Sequence, residues 1–259
     1  MHEEWTTSLT AILDDPAARR RCTDLLTELF LDLTVLAEPA VFVEAGAHEA
    51  SASIQVKRRI PGCRVVAYEA NPFVFRQWSG IYDYAAMGVE YRHQALAEEE
   101  GEVTFQVVAA ADGLDEPRLH GFNSLNTRHH DDEQGVVYEP VTVPSTTLDA
   151  LGAEQPGRAA MWVDVEGAAR QVLLGGPDFL GRCDVVKIEV EDYAFWRDQW
   201  LVADVLAELH RHGLYPLARD VEYDYQYNMV LVSERFLQQP ACHERTARFK
   251  DDLAGLSRR

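Results

Sequence analysis

Acidic residues follow several short apolar runs of this chain, where they could bind a cation or accept a proton. Asp164 and Glu166 flank Val165 after one run, and Glu189 and Glu191 follow another. A single such acid is more often a helix cap than part of a site. Several acids that converge at the ends of neighbouring strands more often form a ligand site, and we expect one here.

A glycine turn follows an earlier apolar run, and residues 41–53 read VFVEAGAHEASAS. Glycine at the first strand-to-helix turn of an α/β fold lets the backbone approach a bound nucleotide closely. Farther along, Glu69 ends the next run, where a carboxylate can accept hydrogen bonds from both hydroxyls of an adenosine ribose. By itself, the turn is as typical of an α/β protein that binds no nucleotide as of one that does. The acid at Glu69 shifts the interpretation towards adenosine binding.

The charges around the turn distinguish between two classes of adenosine ligand. The turn lacks the GxGxxG pattern of dinucleotide-binding folds, and Glu44 and Glu49 stand on either side of Gly46. A pyrophosphate prefers a glycine-rich helix N-terminus without nearby carboxylates. S-adenosylmethionine carries a sulfonium and an ammonium and has no phosphate, so the electrostatics favour it over a nicotinamide dinucleotide.

A parallel sheet covered by helices would position these acids together. Continuous apolar runs rich in Val and Ile are typical of strands buried on both faces, and they occur at 41–44, 64–68, 89–91, 161–165 and 184–190. Helices are predicted between them at 49–59, 72–80, 166–175 and 197–212. This alternation predicts a doubly wound α/β fold.

Other segments extend that alternation. They are an amphipathic helix at 16–37, strands at 102–108 and 136–143 around a long polar segment at 109–135, a last strand at 226–232 and a helix at 234–254. A polar segment of that length inside a compact domain is usually functional or disordered. We predict an N-terminal helical extension over 1–38 and one α/β domain over 39–259.

Composition limits the partners and the compartment. The 259 residues carry 24 basic and 43 acidic side chains, and the net charge of −19 disfavours nucleic acid and membrane surfaces as partners. We find no membrane-length apolar run and no secretory signal at the start. Four separated cysteines without a CxxC pair suit a reducing compartment, so we expect a cytoplasmic protein.

Seven segments in order resemble the FkbM family of S-adenosylmethionine-dependent methyltransferases: VEAGAHEAS, YEANP, HQALAEEEGEVTF, NSLN, VPSTTLDAL, WVDVEGAARQVLLGG and IEVE. The resemblance covers about residues 40–192, and its most specific parts are the D-V-E-G…V-L-x-G and T-L-D blocks. It implies a seven-stranded, mostly parallel, Rossmann-like methyltransferase sheet. This chain departs from the family pattern at Glu44, His48, Ala50 and Ala169, where Asp, Asn, Gly and an acid are usual.

The resemblance also implies a set of cofactor contacts. Asp164 and Glu166 would lie near the sulfonium and the methyl acceptor, and the segment 109–135 would become a lid. The remaining contacts would be Glu44, Gly46, Ala47 and His48 at the methionine part, Glu69 and Ala70 at the ribose, Ala95 and Leu96 at the adenine edge, and Asn123 and Ser124 in the lid.

Methyl transfer to a hydroxyl needs alignment of three atoms and a base for the hydroxyl proton. The candidates for that catalytic role are Asp164, Glu166 and Glu189, with His48, His120, His129 and His130 behind them. A magnesium ion held by the three carboxylates is a less favoured alternative. The run HHDDE at 129–133 is more typical of a solvated loop than of a metal site.

The methyl acceptor is predicted to be a hydroxylated small-molecule natural product or a sugar. Four aromatic residues could wall its pocket or equally pack as core: Tyr193, Phe195, Trp196 and Trp200. The run YDYQYN at 223–228 is typical of an alternating strand edge. A nicotinamide-dependent oxidoreductase and a non-catalytic binding protein of methyltransferase fold remain alternatives, and the sequence leaves a homo-oligomer open.

Overall fold

Parallel strand pairing organises the chain in this computed structural model, which describes residues 14–129 and 135–256. The described strands are β1 (Val41–Ala45), β2 (Arg64–Glu69), β3 (Val89–His93), β4 (Ala95–Leu96), β5 (Gly101–Ala111), β6 (Val136–Thr146), β7 (Ala159–Val163), β8 (Cys183–Glu191), β9 (Leu214–Arg219) and β10 (Gln226–Ser233). The described α-helices are α1 (Pro16–Ala37), α2 (Ser51–Arg59), α3 (Pro72–Ile81), α4 (Leu148–Glu154), α5 (Ala169–Leu174), α6 (Pro177–Leu180), α7 (Val202–Arg211), α8 (Glu234–Leu237) and α9 (Pro240–Leu256).

Seven strands form the main sheet in the order β3-β2-β1-β7-β8-β10-β9. All neighbouring pairs from β3 to β8 are parallel, and β10 runs antiparallel to both β8 and β9. The predicted seven-stranded, mostly parallel α/β sheet is therefore confirmed. The strand order reverses between β1 and β7, and such a switch point opens a crevice at the carboxyl ends of the strands.

Several predicted boundaries were wrong, and the backbone shows why. The strand predicted at 161–165 ends at Val163, and the helix predicted at 166–175 begins only at Ala169. Glu166 and Gly167 between them have φ angles of 48° and 76°, which a right-handed helix excludes. The helix predicted at 197–212 begins at Val202, after Asp198 with a φ of 58°.

Two strands were missed in the sequence. Strand β4 has only two residues, and β9 contains Pro216, which breaks the apolar pattern of a strand. Because β9 is the edge strand of the main sheet, a proline that cannot donate to a neighbouring strand is tolerated there.

A second sheet of three strands, in the order β4-β6-β5, stands beside the main one. Strands β5 and β6 pair antiparallel from Gly101 and Ser145 to Ala111 and Val136, well beyond the predicted bounds 102–108 and 136–143. The polar segment 109–135 is thus partly strand. The part of this segment that lies outside the strands contacts the same sheet, because Ser124 forms an antiparallel β-bridge with Gln106 of β5.

Helix α1 covers one face of the main sheet. Asp15 caps its first turn by accepting a hydrogen bond from the Ala17 N–H, and Pro16 starts the helix. Its apolar side, including Phe30, packs in one cluster with Phe42 of β1 and Val185 of β8. The helix predicted at 16–37 is confirmed, and the division at residue 38 stays a prediction.

Within the described ranges, no helix combines the length and apolar content of a membrane span.

A buried carboxylate secures the start of β8. Asp184 is completely buried and accepts hydrogen bonds from Arg158 (3.0 Å), Arg235 (2.7 Å) and the Ser233 hydroxyl (2.6 Å). Since Ser233 ends β10 and Arg235 lies in α8, this one side chain ties the last strand and the following helix to β8.

Replacing this carboxylate is expected to destabilise the fold. Asp184→Asn should lower the free energy of unfolding by about 2–3 kcal/mol, because charged hydrogen bonds are lost at a buried site. Asp224→Asn is the matched control, since Asp224 forms an exposed ion pair with Arg19 that should contribute less than about 0.5 kcal/mol. Urea denaturation of both variants measures the difference, and equal losses would contradict the role of Asp184.

Candidate functional site

A cavity opens at the carboxyl ends of β1, β2 and β7, where the strand order predicts a crevice. The structure brings most of the sequence-predicted site residues to its wall: Gly46, His48, Glu69, Ala70, Ala95, Leu96, Asn123, Asp164 and Glu166. Sequence reasoning did not single out other residues of the wall, among them Tyr68, Asn71, Gln94 and Phe105. Of these, Asn71 had a signal, because an Asn before Pro72 is typical of a helix start, and its Oδ1 accepts from Phe73 N–H at 2.9 Å.

Gly46 lies where β1 and β7 leave the sheet side by side. Its φ is 75°, and a Cβ atom placed on it would lie 1.7 Å from the carbonyl oxygen of Asp164. The Asp164 N–H in turn donates to the Ala45 carbonyl at 3.0 Å, so the two backbones are locked together at this point. Glycine is therefore required here both for its conformation and for the close approach.

The rest of the turn is held in an unusual conformation by its neighbours. His48 and Ala50 have φ angles of 46° and 57°, which non-glycine residues rarely adopt. The Tyr91 hydroxyl donates to the His48 carbonyl, and the His48 N–H donates to Glu69 Oε2 at 2.8 Å. Such conformations persist only where the surroundings hold them, and they concentrate at binding sites.

Glu69 ends β2 with only 7% of its surface exposed. Its Oε1 accepts from the Asn71 N–H at 2.7 Å, and its Oε2 accepts from the His48 N–H. Burial raises the pKa of Glu69, while these two N–H groups and the His48 ring oppose the rise. Each oxygen keeps a further acceptor site, so the carboxylate can still bind two neighbouring hydroxyls.

Two predicted cofactor residues of the first turn lie behind the cavity wall instead of on it. Glu44 accepts a hydrogen bond from the Ser53 N–H at 2.7 Å, at the start of α2. Burial raises the pKa of Glu44 to about 7. Ala47 is buried, and its N–H donates to the Tyr68 carbonyl at 2.9 Å. Both residues support the turn from within the fold.

The three candidate catalytic carboxylates form one cluster. Asp164, Glu166 and Glu189 each offer an oxygen within 4.8 Å of the others. They keep a little exposure to solvent but are densely surrounded by protein atoms. Gln226 supplies a hydrogen bond from its amide Nε2 to Glu189 Oε2 at 2.8 Å.

Burial and mutual repulsion set the protonation of this cluster. Burial first, then the charges of Asp164 and Glu191, raise the pKa of Glu166 to about 8. Burial and the neighbouring acids raise the pKa of Glu189 well above its usual range. Burial also raises the pKa of Asp164, but the charge of Lys187 opposes that rise. The cluster can therefore share protons at neutral pH or bind a cation. Its spacing would also suit a hard divalent ion, and the preference against a metal stays a prediction.

The long segment attaches to the loop that carries Glu166. The Ser124 hydroxyl donates to the Glu166 carbonyl at 2.6 Å, and Asn126 Nδ2 donates to the Gly167 carbonyl at 2.8 Å. Asn123, the residue before Ser124, contacts strand β5, since its Oδ1 accepts a hydrogen bond from the Val108 N–H at 2.8 Å. The NSLN and DVEG segments are thus in contact. Sequence reasoning missed Asn126, although the quoted NSLN motif contained it.

The aromatic cluster divides between core and surface. Trp196 is 1% exposed, and a Cβ on Gly167 would lie 2.4 Å from its ring, so Trp196 packs as core.

Tyr193 and Tyr225 are 48% and 60% exposed, and their ring centroids are 6.3 Å apart. Tyr223 is also exposed, and the charges of Glu222, Glu189 and Glu166 raise its pKa. We call Tyr193, Tyr223 and Tyr225 the tyrosine rim.

The histidines behind the carboxylates are dispersed. His48 and His120 line the cavity, and His48 Nε2 donates to the Leu119 carbonyl at 3.2 Å. His129 donates its backbone N–H to the Phe195 carbonyl at 3.0 Å. His130 and the rest of the HHDDE run lie outside the described residues.

The raised pKa of Glu166 predicts a pH-dependent effect on stability. Its folded pKa of about 8 lies above the unfolded value of about 4.3, so the folded protein holds the extra proton between them and loses stability as pH rises. Glu166→Gln removes this loss. Its unfolding free energy relative to wild type should therefore increase from pH 5 to pH 8, on the order of 1–3 kcal/mol.

Urea denaturation at several pH values measures that difference. Glu102→Gln, at an exposed acid in β5, is the matched control and should show no such trend. A difference between Glu166→Gln and wild type that stays constant over this range would contradict the burial of the carboxylate.

Comparison with known proteins identifies a family for most of this chain. The family described as "Methyltransferase FkbM domain" matches residues 44–215, more than half of the chain. A comparison with curated protein sequences finds no match.

The chain is also similar to several solved structures. One is magnesium protoporphyrin IX methyltransferase from Synechocystis PCC 6803 with bound SAM, at 10% identity and a TM-score of 0.44, covering 83% of this chain and 79% of that one. Another is methyltransferase FkbM from Methylobacillus flagellatus KT, at 10% identity and a TM-score of 0.44, covering 75% of this chain and 44% of that one. A third is the N-terminal domain of EvdMO1 with SAH and D-fucose, at 14% identity and a TM-score of 0.41, covering 85% and 82%.

These structural likenesses are too distant to carry a functional argument. The family match is different, because it spans the glycine turn, Glu69, the NSLN segment and the DVEG loop that the structure brings together around one cavity. The chain belongs to the FkbM methyltransferase family.

Proposed function

We propose that this protein transfers the methyl group of S-adenosylmethionine to a hydroxyl of a small-molecule natural product or a sugar. The observation that carries the proposal is one cavity that joins Glu69 to Asp164 and Glu166 across the Gly46 turn. A carboxylate suited to a ribose and carboxylates suited to a sulfonium thus face the same space. Membership of the FkbM family supports this assignment.

The residues of the cavity fit the parts of S-adenosylmethionine. Glu69 would bind the ribose hydroxyls, and Ala95, Leu96 and Phe105 offer an apolar surface for the adenine. Asp164, whose backbone touches the Gly46 turn, would lie nearest the methionine part and the sulfonium. A positive charge beside Asp164 and Glu166 would favour their ionised forms. A pyrophosphate would meet the same carboxylates and be repelled.

Bound S-adenosylmethionine supplies the methyl group and a thioether leaving group. The protein must then align the acceptor oxygen with the methyl carbon and remove the hydroxyl proton as the new oxygen–carbon bond forms. Glu166 fits the second task, because it lines the cavity and its pKa of about 8 suits proton acceptance near neutral pH. Glu189, beside it in the cluster, can share that proton.

The tyrosine rim is where we expect the acceptor. It adjoins the carboxylate cluster through Gln226, whose carbonyl accepts from the Tyr223 N–H at 3.1 Å and whose amide donates to Glu189 at 2.8 Å. Half-exposed aromatic rings can stack on the apolar face of a sugar or a natural-product ring, while the buried carboxylates accept hydrogen bonds from its hydroxyls.

Loss of the Glu69 carboxylate is expected to weaken cofactor binding. Glu69→Ala should cost about 1–3 kcal/mol of binding free energy, or roughly 5–150-fold in Kd, if both ribose hydroxyls bind it. S-adenosylhomocysteine shares the ribose and should lose the same factor. Isothermal titration calorimetry of both ligands measures the loss, with Glu102→Ala as an exposed-acid control. Tight NADH binding without S-adenosylmethionine binding would favour an oxidoreductase instead.

Replacement of the proposed base should affect turnover more than binding. Glu166→Gln is expected to lower the rate of methyl transfer by about 10²–10⁴-fold, the usual contribution of a general base, with a much smaller loss of S-adenosylmethionine affinity from the missing charge. Transfer of a labelled methyl group to paired hydroxyl and amine acceptors, sugars included, measures it and separates O- from N-methylation. Unchanged turnover would refute the role of Glu166, and no turnover on any acceptor would favour a non-catalytic binding protein.

A further inference from the structure

Lys187 is a buried cation directly beneath the proposed active site. It lies in the middle of β8 with 2% of its surface exposed. Its Nζ donates to Asn228 Oδ1 and lies 3.6 Å from the centroid of the Trp162 ring. Among the described residues, no carboxylate pairs with it within the 4 Å of an ion pair. A desolvated ammonium without a direct counter-ion is unfavourable for folding, so its presence needs a reason.

Strand register places this charge under the carboxylate cluster. Trp162 of β7 pairs with Lys187 of β8. Alternate residues of a strand share a face and are about 7 Å apart, so Glu189 stands one step above Lys187. Asp164 likewise stands one step above Trp162, since its N–H continues the pairing with β1.

A network on the neighbouring strand fixes the partner of Lys187. Asn228 of β10 donates from Nδ2 to Asp220 Oδ2 and to Glu222 Oε2, both at 3.1 Å. Its amide nitrogen is therefore committed, and only its oxygen can face Lys187. This arrangement holds the ammonium by a neutral acceptor and an aromatic face, neither of which cancels its charge. Burial lowers the pKa of Lys187, and the charges of Asp164, Asp220, Glu189 and Glu222 oppose that fall and favour the ammonium.

The charges around Asp164 are otherwise almost all negative. Lys187 is the strongest influence that opposes the rise in the pKa of Asp164 caused by burial. The other titratable groups that face Asp164 or Lys187 come from every adjoining element, and apart from His48 they are acids: Glu44 of β1, His48 of the turn, Glu166 of the loop after β7, Glu189 and Glu191 of β8, and Asp220 and Glu222 between β9 and β10.

We propose that Lys187 is a positioning residue for methyl transfer, a buried positive charge that keeps Asp164 ionised at neutral pH so that it can bind the sulfonium. The inference rests on the proposed function, because it assigns the sulfonium to Asp164. Lys187 itself touches neither the cofactor nor the acceptor in this role. It acts through the electrostatic attraction between its buried charge and the Asp164 carboxylate.

The test is the pH dependence of S-adenosylmethionine affinity in Lys187→Met, a substitution that keeps an unbranched side chain of similar length and removes the charge. Calorimetric titration from pH 5.5 to pH 9 should show the rise of affinity displaced upward by about one pH unit. Affinity near pH 6.5 should fall by up to about tenfold and should match wild type at pH 9. S-adenosylhomocysteine, whose sulfur is neutral, should show a smaller change.

Ile188→Met is the matched control, because Ile188 is the next residue of β8, equally buried on the opposite face. It should keep the wild-type pH profile. Asp220→Asn is a second variant expected to act in the same direction as Lys187→Met, since it removes an acid that favours the charged form of Lys187 and should move the rise of affinity to higher pH. It keeps the inference testable if Lys187→Met does not fold.

The outcomes separate the inference from the function on which it rests. A uniform loss of affinity at all pH values in Lys187→Met would show a structural role and overturn the inference. Where Lys187→Met does not fold, an unshifted profile in Asp220→Asn would overturn it as well. Wild-type protein that binds no S-adenosylmethionine at any pH would instead refute the proposed function, and the inference with it.

Discussion

The close approach of Gly46 to the Asp164 carbonyl is the constraint on which the site depends. At this point the strand order reverses, and β1 and β7 leave the sheet side by side without room for a single Cβ atom. The chain after β1 takes a left-handed conformation at Gly46, His48 and Ala50. That turn presents the His48 N–H to Glu69, so one backbone contact positions both ends of the cavity.

The same geometry gathers acids that the fold must stabilise. Glu44 and Glu69 accept backbone N–H groups, which disperse their charge and make them part of the framework. Lys187 supplies a positive charge below the cluster, held by Asn228 and Trp162. Buried carboxylates with raised pKa values reduce stability as pH rises. The apolar packing of α1 and the sheet core has to offset this remaining loss of stability.

Sequence reasoning recovered the features that periodicity and turn chemistry encode. It identified the mostly parallel sheet, the acid at the end of β2 and the glycine turn, because each depends on a local pattern. It missed Lys187, since a strand buried on both faces is apolar throughout and its pattern does not show which residues face one another. The partners of Lys187 lie on β7 and β10, 25 and 41 residues away in the chain, and only strand register brings them together.

The number of N–H donors that each acid receives explains how acids of one type divide into different roles. Glu69 receives two backbone N–H groups, and they oppose the rise in its pKa that burial causes. In the cluster of Asp164, Glu166 and Glu189, the Gln226 amide donates to Glu189 at 2.8 Å and also opposes the rise in the pKa of Glu166. Lys187 is one positive charge beneath three carboxylates, so the cluster can still hold protons or bind a further cation. The scarcity of backbone donors thus leaves this cluster, unlike the acids of the framework, open to a proton or a cation.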